Sequence, residues 1–257
     1  VKENELATQY QVICQEVTEF VKRGEYERAA SLLEKYKGVR EKFIARAFYI
    51  LYSNKRSHYY SKEEAIEHLN FLEKAKDIWG VMEKGRCLLE GELYKKDTFG
   101  AEDLFNVALN VKSPSVDKAK YYLGLIASNG LHNPKNEDAR DLEHARNMFS
   151  EVMQGESNFR EPAREEYCRT IMRNGQISPQ ETTSLFNHLS ILFNKNPDRG
   201  APLYSEFLLE ILSMLGKTVF SEERAPQGMT DKADFDARYN ELRSAITVLK
   251  KILPSSK

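Results

Sequence analysis

Four segments of the chain carry an alanine, a large apolar residue four positions later, and an apolar or aromatic residue three further on. They read Ala29-Leu33-Tyr36, Ala65-Leu69-Leu72, Ala101-Phe105-Ala108 and Ala145-Phe149-Val152, with steps of 36, 36 and 44 residues between the alanines. Offsets of four and seven put all three residues on one face of a helix. A fixed step near 40 residues fits one helical hairpin per unit, the hallmark of a stacked repeat array.

A second row lies between these segments. Ala119-Leu123-Gly124 and Ala163-Tyr167-Cys168 stand 44 apart, Ala75-Trp79-Gly80 is a looser match 44 upstream, and Ala45-Tyr49 and Gly85-Leu89 are degenerate versions. Glycine inside a helix costs roughly 1 kcal/mol relative to alanine. The position therefore expects a neighbouring helix close enough to exclude a side chain.

Apolar residues recur at three- and four-residue intervals almost throughout, without β-branched alternation, so the fold class is all-α. Turns are expected at Gly24, Gly38, Ser53-Asn54, Gly100, Ser113-Pro114, Gly130 to Pro134, Gly155, Gly175 to Pro179 and Asn196-Pro197. The expectation is a right-handed α-solenoid of about six antiparallel helical hairpins, one domain over residues 1–257. The best-matching repeats run from 20 to 195, and a terminal helical pair spans 198–253 around a long polar loop at 217–235.

Thirty-eight basic against thirty-nine acidic residues leave a net charge of −1, which argues against a strong footprint for nucleic acid or anionic membrane. Apolar-rich stretches such as 207–212 fall far short of the roughly 20 residues needed to span a bilayer. The most basic window is 35-KYKGVREKFIAR-46, bordered by Glu34, interrupted by Glu41 and read as a hairpin surface. Cys14, Cys87 and Cys168 are widely spaced and read as small apolar helix residues, which favours a reducing, cytoplasmic setting. The opening stretch 1-VKENELATQY-10 has no initiating methionine and fits a processed or trimmed chain, which keeps a periplasmic location open.

No phosphate-binding loop, nucleophile elbow or H-E-x-x-H is present, and His58, His68, His132, His144 and His188 are scattered. No metal, cofactor or catalytic residue is expected. Tyrosine is abundant, with thirteen copies. The first helix of each hairpin usually lines the concave side of such an array, so Tyr49, Tyr52, Tyr122, Arg169 and Arg173 are the candidate partner-binding residues.

The run 119-AKYYLGLIASNG-130, followed by Asp141, Ala145 and Phe149, resembles the Sel-one-like repeat, a relative of the tetratricopeptide repeat. That family reads A-x-x-x-L-G-x-x-Y-x-x-G and then D-x-x-K-A-x-x-W-Y; here Ala127 replaces the tyrosine and His144 the lysine. The unit is also longer than the family's usual repeat of about 36 residues, because Leu131 to Asp138 enlarges one loop and Gln154 to Arg160 the next. The resemblance implies a non-catalytic adaptor that holds a protein or peptide partner in its groove, in bacteria often in envelope, secretion or polysaccharide-export assemblies. Two other readings stand beside it: a chaperone for a secreted substrate, and an enzyme subunit with a site near 217–235.

Overall fold

A computed structural model describes residues 2–111, 113–131, 140–173, 177 and 179–207. The loop at 217–235, most of the pair at 198–253, the loop insertion after Leu131 and the turn at Gly175 lie outside the described residues. The described residues hold only helices: α1 (Lys2–Arg23), α2 (Tyr26–Glu34), α3 (Lys42–Tyr52), α4 (Lys62–Lys74), α5 (Ile78–Glu90), α6 (Thr98–Leu109), α7 (Val116–Asn129), α8 (Leu142–Gln154), α9 (Arg160–Arg173) and α10 (Pro179–Lys195). A further helical stretch, α11, covers 197–207.

The chain divides into two compact units, residues 1–160 and 161–257. In the first unit each helix packs on the next in order from α3 to α8, and α1 packs on both α2 and α3. The odd-numbered helices also meet, α1 against α3 and α5 against α7, so they form one face and α2, α4, α6 and α8 the other. In the second unit α9, α10 and α11 share one core, built from Cys168, Ile171, Leu185, Leu189, Leu192, Leu203, Tyr204 and Phe207.

The repeated alanine pattern falls on the even helices. Ala29, Ala65, Ala101 and Ala145 are fully buried, and so are Leu69, Phe105 and Phe149. The second row needs a correction. Ala75 ends α4, so Gly80 is not the counterpart of Gly124. That counterpart is Gly85, 39 residues upstream: a Cβ on Gly85 would lie 2.6 Å from the Phe105 ring, and one on Gly124 2.6 Å from the Phe149 ring. Gly80 answers a different crowding, since its Cβ would meet the Leu72 Cβ of the preceding helix at 2.3 Å.

Two turns also differ from expectation. Gly100 sits inside the first turn of α6, where its N–H donates to the Asp97 N-cap, and the break comes earlier at left-handed Gly91. The turn between α4 and α5 went unread because its left-handed residue is Lys76 (φ 52°), not glycine. Gly24, Gly38 and Gly130 end their segments with positive φ, as their placement anticipates.

Candidate functional site

The expected partner-binding residues are divided between the two units. Tyr49, Tyr52 and Tyr122 belong to the first unit, whereas Arg169 and Arg173 belong to the second. Arg169 is about one-third exposed and pairs with Glu165 at 3.0 Å and Glu166 at 3.7 Å, and Arg173 is exposed at the end of α9. Tyr52 is half-buried and stacked on Phe48 at 5.8 Å.

Tyr49 is a packing residue, only 3% exposed, and offers no surface to a partner. The reason is a size exchange between the two helices of a hairpin. Where Gly85 and Gly124 sit under Phe105 and Phe149, the first of these hairpins has Tyr49 on its odd helix and the smaller Leu69 on its even helix, in one shared cluster. The larger side chain of this buried pair is thus on the odd helix, the reverse of the next two hairpins.

Above Tyr49 lies a polar network that the sequence reading missed. The Tyr49 hydroxyl donates to Glu83 Oε1 at 2.9 Å, and Arg86 donates to the same oxygen through Nη2 at 2.7 Å and Nε at 3.1 Å. Arg86 Nη1 turns outward to Glu90 and, at 2.9 Å, to Glu92. Lys118 of α7 approaches Glu83 Oε2 at 3.6 Å. The network thus ties α3, α5 and α7 along the odd-helix face. Tyr122 borders it, half-buried and stacked on Phe105 with ring centroids 5.0 Å apart.

Burial pushes the Glu83 carboxyl up, but the hydrogen bonds and charge of Arg86, then Lys118 and Tyr49, outweigh it and hold the group below the usual carboxylate range. Burial raises the Tyr49 and Tyr122 phenols, with Glu83 adding to the first and Glu90 to the second. Both tyrosines therefore stay neutral donors. The signal in the sequence is Glu83, Arg86 and Glu90 at helical offsets of three and four, a pattern shared by any solvated helix face.

Burial raises all three thiols, Cys168 to about 12, which keeps them protonated and poorly nucleophilic. Among the described residues no three His, Cys, Asp or Glu side chains gather at metal-binding distance. No described helix is long and apolar enough to cross a membrane.

Helices packed in chain order, with one row of helices forming a common face and small residues at the contacts, define an α-helical repeat protein of the solenoid class. A crystal structure of a Sel1 repeat protein from Oxalobacter formigenes matches this chain with a TM-score of 0.54 and 12% sequence identity, over 90% of this chain and 99% of that one. At this identity the likeness is one of fold, and it agrees with the resemblance read from 119–149. No family model and no curated protein matches the chain.

Proposed function

We propose that the chain is a non-catalytic interaction scaffold whose odd-helix face in the first unit holds a polypeptide partner. The observation that carries this reading is the network around Arg86. It draws on three odd-numbered helices, α3, α5 and α7, is anchored by buried Tyr49, and leaves the Glu90 and Glu92 side chains 42% and 38% exposed at its rim. Side chains fixed in advance by their neighbours need little further ordering when a partner docks. An arginine and a tyrosine side by side supply the residue types that dominate interface energetics. The resemblance to Sel-one-like repeats adds an adaptor role in assembling multi-protein complexes.

A photo-reactive phenylalanine analogue in place of Tyr122 keeps the stacked ring and reports what lies against it. In an extract of the source organism it should cross-link to one discrete polypeptide. Glu90→Lys with Glu92→Lys reverses the rim charge without touching Glu83 and should abolish that adduct while helical content is retained. An unchanged adduct in the reversed variant would remove this face from the proposal.

A further inference from the structure

The basic window at 35–46 finds no use in the odd-helix face, yet the fold gives it company. Lys35 and Arg40 lie in the segment joining α2 to α3, and Lys42 opens α3. Lys74 ends α4 and Lys76 lies in the turn from α4 to α5. The two turns lie at the same end of the helices, because Arg46 of α3's second turn donates Nε to the Asp77 N-cap of α5 at 3.0 Å. All five bases are exposed, and among the described residues none has an ion-pair partner.

Most acids of this edge are already committed, although exposed Glu16 of α1 shares a surface groove with Lys35. Glu34 pairs with Lys37 at 2.7 Å, and Glu73 pairs with Lys84 at 2.6 Å. Glu41 accepts from the backbone N–H of Phe43 at 2.7 Å, capping α3. Asp77 is buried, bound by Arg46 and by the Gly80 N–H at 2.9 Å. Glu34 thus takes up Lys37 and Glu41 the start of α3, which leaves Lys35, Arg40 and Lys42 without an acid of their own in that run. The edge therefore carries an excess of basic over acidic side chains on a chain whose net charge is −1. Lys76 adds a second sign of use: it holds a left-handed conformation that glycine would adopt more easily.

We infer that this edge is a second interaction surface, one that recognises an acidic polypeptide segment. Four of the five bases are lysines, flexible point charges suited to separate carboxylates. Aromatic faces on which nucleic-acid bases would stack are taken: Tyr36 meets Tyr10 edge to face at 6.2 Å, and Phe43 is covered by Lys42 and Arg46 at 5.2 and 5.0 Å. Attraction here is by exposed charge and is screened by salt.

The test is fluorescence anisotropy of a labelled peptide of alternating Glu and Ser, titrated with the full chain at low salt. The peptide should bind and weaken steadily as salt rises. A variant carrying Lys35→Gln, Arg40→Gln, Lys74→Gln and Lys76→Gly should bind about tenfold or more weakly. A control on the opposite turns, Lys55→Gln, Arg56→Gln, Lys95→Gln and Lys96→Gln, should bind as the parent does. No peptide binding by the parent chain overturns the inference, and so does equal loss in the control. Tighter binding of a single-stranded oligonucleotide that the first variant abolishes would also overturn it, in favour of nucleic acid.

Discussion

At the scale of single residues, the fold depends on where side chains are missing. Gly85 and Gly124 make room for the rings of Phe105 and Phe149, both fully buried and unable to step aside. Gly124→Ala should destabilise the chain by about 1–3 kcal/mol, the range for overpacking a close-packed site. Gly124→Ala with Phe149→Leu should recover part of that loss, because the Tyr49–Leu69 hairpin shows that a larger odd-helix residue and a smaller even-helix one can share the volume. Urea denaturation of the two single variants and the double variant measures the coupling; strict additivity would show that ring and glycine do not compete for space. The demand for a small residue at 124 was legible in the sequence, since a mid-helix glycine asks for an explanation. Its partner was not, because Gly80 and Gly85 are both small and only the packed ring tells them apart. Tyr49 was misplaced for the same reason, as helical spacing gives the face of a helix but not the depth of the groove it meets.

At the scale of elements, buried Asp77 and the mostly covered Glu83 hold the odd helices together. Asp77 caps α5 while binding Arg46 of α3, and Glu83 gathers Tyr49, Arg86 and Lys118 from α3, α5 and α7. Hairpin order and most helix ends could be read from glycine and proline. These cross-helix bonds could not, because they join residues 31 to 35 positions apart whose types are common on any exposed helix. Glu83 makes the helix-to-helix tie dependent on pH. Its carboxyl lies below its ordinary 4.5 in the folded chain, so the ionised form is favoured by folding. The stabilisation is therefore full above about pH 4.5 and is lost as pH falls through the lowered folded value. Glu83→Gln should cost about 1–3 kcal/mol at pH 7, the range for a charged group losing buried hydrogen bonds. At a pH low enough to protonate the folded carboxyl, below its lowered value, the same substitution should cost clearly less. Urea midpoints of parent and variant at both pH values decide it; a difference independent of pH would mean that Glu83 acts through shape alone.

At the scale of the whole molecule, the hydrophobic cores follow the division into units. One cluster joins α1, α2 and α3, another joins α3, α4 and α5 with Leu93, and a third joins α5, α6 and α7, all within residues 1–160. The fourth lies wholly between Cys168 and Phe207. In a stacked array stability is close to a sum of each hairpin's own term and the terms with its nearest neighbours. Because successive clusters in the first unit share helices, α3 and then α5, the loss of one weakens the next and that unit should melt as a body. A fragment of residues 1–160 should therefore keep a helical circular dichroism spectrum and a single cooperative urea transition. Its m-value should exceed that of the fragment 161–257, because more surface is exposed when the larger core opens. A fragment 1–160 with helical signal but no cooperative transition would show that its three linked clusters do not fold independently of the rest of the chain.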